Sequence, residues 1–317
     1  MREQLQSLDN IPINLSMEAT LSVNIVLAIV MYCVALGIRP QTFINLLKFP
    51  KSILVGLFAQ AIALPAITFV LVVLFNQWIT PMVAMGMILV AACPGGNISN
   101  FMSQLSRANI ELSISLTAIG TVITPILTPF NFWLWGSFYV HYVNNSAGNA
   151  LQTLHIDYVQ MFQMALLLLG LPLLLGVLTV KFLPKLAQKM RKPLQYFSIF
   201  FFIAMVIIAF NNNLNLFVNS TFIYIFILVL IHNSSILGSG FGLAKLFQLP
   251  VKDQRALTIE TGIQNSGLGL ALLFNPNIFP PDLAIGGMIH ITAWWWIWHI
   301  VSGLSVSFFW SRRVVTE

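Results

Sequence analysis

TIETGIQNSG, residues 258–267, sets one acidic side chain, Glu260, deep inside an otherwise apolar stretch. A carboxylate at that depth in a membrane is costly unless something neutralises it, so Glu260 marks a functional site by default. Every Lys and Arg falls at the end of an apolar segment or in a loop. A histidine, a proton or a dissolved cation is left to do the neutralising.

Composition supplies the membrane. The 317 residues are 58% hydrophobic and only 8% charged, where soluble domains carry about a quarter charged residues. That excludes an ordinary soluble enzyme, and the net charge of +6 reads as topology rather than as affinity for nucleic acid. Cys33 and Cys93 lie in apolar surroundings without metal-binding spacing and read as small core residues. The first 17 residues carry Arg2, Glu3 and Asp9 and no apolar run behind a basic start, which argues against a cleaved signal peptide.

Apolar runs long enough to cross a bilayer occur at 18–38, 51–76, 80–107, 109–137, 155–183, 194–211, 221–247, 253–276 and 281–311. The sequence therefore predicts an all-α membrane protein with nine transmembrane helices. Basic residues test that count independently, because cytoplasmic loops collect Lys and Arg. Arg39, Lys48 and Lys51 follow the first run, Arg107 the third, and Lys181, Lys185, Lys189, Arg191 and Lys192 the fifth. Lys245, Lys252 and Arg255 follow the seventh, Arg312 and Arg313 the ninth, and only Arg2 of the 15 basic residues lies on the other side. The reading is a multi-pass cell-membrane protein with its N-terminus outside and its C-terminus in the cytoplasm.

A second interrupted run mirrors the first. CPGGNISN, residues 93–100, breaks the third run as the Glu260 stretch breaks the eighth, and the two runs point in opposite directions. Gln60 in the second run matches His232-Asn233 in the seventh. The chain then reads as an inverted repeat of four, one and four spans, the signature of secondary transporters. Residues 1–17 form an outer N-terminus, 18–154 the first repeat, 155–193 a connecting span and basic loop, 194–311 the second repeat and 312–317 a tail.

Oxygen donors gather around Glu260: Gln264 and Asn265 in the same break, Ser99 and Asn100 in the other, and Gln60. Ser113 and Thr117, four apart, share one helix face. Such a set suits a hard cation and offers nothing to a soft metal; sodium fits best. A proton alone needs no cage of oxygens, and His232, His290 and His299 are the competing partners within spans. A serine hydrolase finds no nucleophile motif with a base at a workable spacing.

The two break motifs in this order, with Ser113 and Thr117 after the first, resemble the bile acid:sodium symporter family from about Leu21 to Ser311. The resemblance implies a core of spans 2–4 and 7–9, in which the two broken helices cross, and a panel of spans 1, 5 and 6. It implies one sodium site from Ser99, Asn100, Ser113, Thr117 and Glu260. A second would use Gln60, Glu260 and Gln264 with the Thr261 and Ile263 carbonyls. It further implies a monomer in the lipid bilayer that imports an organic anion with two co-transported Na+ ions. The anion, a bile acid or another small molecule bearing a carboxylate or sulfate, is expected near Asn97, Ile98, Asn265, Ser266 and His299, where half-helix N-termini offer free N–H groups. Many bacterial members have His-Asn where this chain has His299-Ile300, so the anion's identity is not carried over. The alternative is a proton-coupled organic-anion carrier that protonates Glu260.

Overall fold

Proline and glycine divide the chain into helices. The computed structural model describes residues 1–9, 17–38, 48–96, 98–147, 158–211, 221–275, 277–279 and 283–313. Asn97, Arg39 and the expected boundary at 154–155 lie outside these residues. Regular structure within them is helical throughout. The first half comprises α1 (Arg2–Asp9), α2 (Met17–Leu36), α3 (Pro50–Leu74), α4 (Pro81–Ala92), α5 (Ile98–Leu105) and α6 (Ile110–Ala147). The second comprises α7 (Tyr158–Ala165, continuing to Leu171–Phe182), α8 (Pro184–Asn211), α9 (Thr221–Leu246), α10 (Val251–Gly262), α11 (Ser266–Leu273) and α12 (Gly286–Ser311).

Pro50, Pro81 and Pro184 open α3, α4 and α8, where a missing N–H leaves nothing unpaired. Inside a helix the same residue is disruptive. One-turn π segments occupy Ala59–Ala63 in α3 and Leu166–Gly170 in α7, just ahead of Pro65 and Pro172. The widened turn accommodates a ring that would otherwise press on the carbonyl four residues back. In α3 that carbonyl, Ala61 O, instead accepts from Asn131 Nδ2 at 3.1 Å.

α4 is buried from Val83 to Ala92 and packs against α12, α6 and α3. α2 packs instead on α7 and α8. A Cβ on Gly176 of α7 would stand 2.5 Å from Ala35 Cβ, so glycine permits that approach, and Tyr32 Oη donates to Thr179 Oγ1 beside it at 3.0 Å. Leu54, Val70 and Leu74 of α3 and Leu167 and Leu174 of α7 are more than half exposed. Apolar surface of that extent suits lipid.

By length and composition, four described helices can each cross a membrane: Pro50–Leu74, Ile110–Asn145, Phe162–Phe182 and Phe222–Leu246. The runs expected at 80–107 and 253–276 are each divided into two short helices. Two helices also outrun the hydropathy signal. α6 continues to Ala147 and α8 starts at Pro184, because polar residues such as Lys185, Gln188 and Lys189 are good helix formers that a hydropathy window passes over. Residues 1–9 are not merely a tail: Leu5 and Leu8 of α1 are fully buried against the core, and α1 packs on α12 and α4.

Candidate functional site

The two breaks meet and complete each other's backbone. Gly95 and Gln264 form an antiparallel bridge. The Gly96 N–H donates to Ile263 O at 2.8 Å and the Asn265 N–H to Pro94 O at 2.7 Å. Two backbone donors and two carbonyls freed by the breaks are thereby paired with each other, as an apolar interior favours. α11 restarts at Asn265, whose side chain caps it by accepting from the Leu268 N–H at 3.1 Å.

Glu260 points into this junction and is fully buried. Its Oε1 accepts from Ser99 Oγ and Ser113 Oγ, both at 2.5 Å. Thr117 Oγ1 lies 3.0 Å from Oε1 and 3.1 Å from Oε2. Asn100 Oδ1 converges on the same hydroxyls, 2.8 Å from Ser113 Oγ and 3.2 Å from Thr117 Oγ1, and the Ser113 carbonyl lies 3.1 Å from Thr117 Oγ1. A hydroxyl has one proton to give. Three hydroxyls thus face two carboxylate oxygens, an amide oxygen and a peptide carbonyl, and acceptors outnumber the available protons.

On the opposite side Gln60, within the π turn of α3, donates through Nε2 to Glu260 O at 3.2 Å. Gln264 is buried; its Nε2 donates to Thr261 O, while its Oε1 has no hydrogen-bond partner among the described residues. Gly95 makes the approach possible: a Cβ there would come within 2.8 Å of Glu260 Oε2 and 3.1 Å of Gln60 Nε2. The sequence marked Gly95 only as part of a break, and its contact with the carboxylate emerges once the two breaks are paired.

Of the groups expected to hold cations, the Ser99, Asn100, Ser113 and Thr117 side chains gather at the Glu260 carboxylate, while Gln60 meets the Glu260 carbonyl, Gln264 the Thr261 carbonyl, and the Ile263 carbonyl accepts from Gly96. The expected anion residues are more dispersed. Ile98 is partly exposed at the start of α5, and Asn265 spends its amide oxygen as a helix cap. Ser266 and His299 are buried together, with Ser266 Oγ 3.2 Å from His299 Nδ1, which also lies 3.0 Å from Trp295 O. None of the three candidate histidines bonds to Glu260: His232 Nε2 meets Thr68 Oγ1 at 2.7 Å, and His290 Nδ1 meets Gly286 O at 2.7 Å. The described residues contain no Lys or Arg in ion-pair contact with Glu260.

Comparison with known proteins bears on this geometry. The sequence matches the model of the Sodium Bile acid symporter family over residues 24–220. It is also 30% identical over 292 residues to a Bacillus subtilis protein named uncharacterized sodium-dependent transporter YocS, covering 92% of this chain and 84% of that one. The chain belongs to the sodium bile acid symporter family. Other relatives of this symporter-family chain include the probable sodium/metabolite cotransporter BASS1, chloroplastic, of Arabidopsis thaliana, 27% identical over 71% of this chain and 52% of its own length. Sodium/bile acid cotransporter 4 of Mus musculus is 28% identical over 75% of this chain and 52% of its own length. The chain spans about half the length of these two relatives. The family is thus one of sodium-dependent transporters and cotransporters, not enzymes.

Proposed function

We propose that this chain is a sodium-coupled symporter that imports a small organic anion, and that two sodium ions share Glu260. The observation that carries the proposal is the surplus of acceptors around the carboxylate, where three hydroxyl protons serve at least four competing oxygens. A cation removes that conflict, since it accepts lone pairs from every oxygen at once. One ion takes Ser99, Asn100, Ser113, Thr117 and Glu260. The other takes Gln60, Gln264, Glu260 and the Thr261 and Ile263 carbonyls; turning the Gln264 amide over would bring its unpartnered oxygen to the Thr261 carbonyl. Sodium is cargo in this scheme and leaves with the anion.

In this reading the architecture is nine spans in an inverted repeat, with N-terminus outside and C-terminus in the cytoplasm. A panel of α2, α7 and α8 rocks against a core built around the paired breaks. Neutralising Glu260 fixes the breaks, and the anion's carboxylate or sulfate then meets N–H groups at the starts of α5 and α11 other than those of Ser99, Asn265 and Leu268, which already have acceptors. With two sodium ions per monoanion, one net positive charge crosses per cycle, which adds about 2.3 kcal/mol of drive per 100 mV of membrane potential. Relatives are named for bile acids and for metabolites, and an organic anion is the class that embraces both.

The test is purified protein in sodium or potassium buffer with a panel of bile acids, keto acids and hydroxy acids, followed by uptake into proteoliposomes. Sodium alone raises the unfolding temperature, and the matching anion raises it further only with sodium present. Glu260→Ala abolishes both the sodium response and uptake. Equal shifts in sodium and potassium, with uptake driven by a proton gradient, would replace this reading by proton-coupled transport through Glu260.

A further inference from the structure

Two buried side chains of opposite charge stand in the first two turns of α10, below Glu260, and each reaches helices other than its own. Asp253, 4% exposed, accepts from Ser52 Oγ at 2.5 Å and Asn109 Nδ2 at 2.8 Å. Ser52 lies in the first turn of α3. Asn109 caps α6, accepting from the Leu112 N–H at 3.1 Å, and its own N–H donates to Lys252 O at 3.0 Å. The Asp253 carboxylate therefore sits where α3, α6 and α10 all begin, and helix N-termini favour negative charge.

Arg255, 5% exposed, does the converse. Its Nη1 donates to Ser106 O at 2.7 Å and Trp310 O at 3.2 Å, and its Nη2 to Arg313 O at 3.3 Å. Those carbonyls close α5 and α12, and helix C-termini favour positive charge. Neither side chain has an ion-pair partner among the described residues; each is compensated by helix ends and hydrogen bonds instead.

Every helix tied here, α12 apart, carries part of the Glu260 cluster: Gln60 on α3, Ser99 and Asn100 on α5, Ser113 and Thr117 on α6, and Glu260 on α10. Asp253 lies about 10 Å below Glu260 along the axis, at ~1.5 Å rise per residue. We propose that Asp253 and Arg255 are positioning residues for the cation: together they fix the axial register of four helices so that the oxygens converge before an ion arrives. The proposal rests on the sodium reading above and extends it to residues that touch no ion.

The experiment titrates sodium against uptake rate and unfolding temperature for the wild type, Asp253→Asn, Ser52→Ala, Arg255→Gln and Arg255→Lys. Leu249→Ala, which empties a buried site at the same end of α10, is the control for general destabilisation. Asp253→Asn and Arg255→Gln raise the half-saturating sodium concentration about tenfold, the cost typical of losing a group that orients a metal ligand, while the maximal rate at saturating sodium stays within about twofold. Arg255→Lys recovers part of the loss. Ser52→Ala moves half-saturation in the same direction, so the proposal stays testable where Asp253→Asn does not accumulate. If these variants lower the unfolding temperature as Leu249→Ala does and leave sodium half-saturation unchanged, the two residues are structural only and the proposal falls. Absence of any sodium response in the wild type would instead remove the sodium reading itself.

Discussion

Gly95 shows how little space separates backbone from carboxylate at the site. An added methyl would overlap Glu260 Oε2 at 2.8 Å and crowd the Glu260 carbonyl at 3.2 Å, and the bridge to Gln264 and the buried Gln60 side chain on its other side hold the backbone in place. Gly95→Ala therefore displaces the carboxylate and abolishes sodium-induced stabilisation. Its unfolding temperature in potassium falls by only a few degrees, a comparison that thermal unfolding in the two salts makes directly. Much of the oxygen cluster was legible in the sequence because Ser113 and Thr117 share a helix face and the amides sit inside the breaks. Asp253 and Arg255 were not legible. Their partners lie 201 and 149 residues away, and at the edge of an apolar run both residues look like ordinary interfacial charges.

Among the elements, α1 departs most from the sequence reading. Its Leu5 and Leu8 are too few to register as an apolar segment, yet both are buried where α1 meets α12 and α4. Asp9 ends the helix and accepts from Thr80 Oγ1 at 2.9 Å, at the start of α4. Burial pushes its carboxyl up to about 6, against the opposing pull of the Thr80 and Met82 donors and the Arg2 charge. Because the docked carboxyl holds its proton more tightly than a free one, docking is firmest below about pH 4. It weakens as pH rises through about 6 and is then level. Hydrogen exchange of α1 amides across pH 4–8 follows this: protection falls toward pH 6 in the wild type, and Asp9→Asn flattens the profile. The breaks, by contrast, were plain in the sequence, since Pro94 and consecutive glycines cannot continue α4.

At the scale of the whole molecule, the charge pattern predicts a sidedness, with the N-terminus outside, that labelling tests. Ser7→Cys on α1 reacts with an impermeant thiol reagent added to intact cells, and Ser311→Cys at the end of α12 reacts only after permeabilisation; the native Cys33 and Cys93 are buried and give a low background. Reversed labelling would overturn the orientation. Four described helices are long and apolar enough to cross a membrane, and runs of that kind are readable in a sequence because lipid imposes a length on each helix. The half-helices were not separable by a hydropathy window alone, since each break is only a few residues long and the apolar run resumes directly after it.

The reciprocal bonds from Gly96 to Ile263 and from Asn265 to Pro94 have a consequence for how such a chain tolerates change. Each break supplies the donor for the other's acceptor, so the two loops must match in length residue for residue. An insertion in one strands two buried peptide groups unless the other grows with it. Two segments some 170 residues apart in the chain are bound to vary together, like the two halves of a zip fastener cut to a common count of teeth.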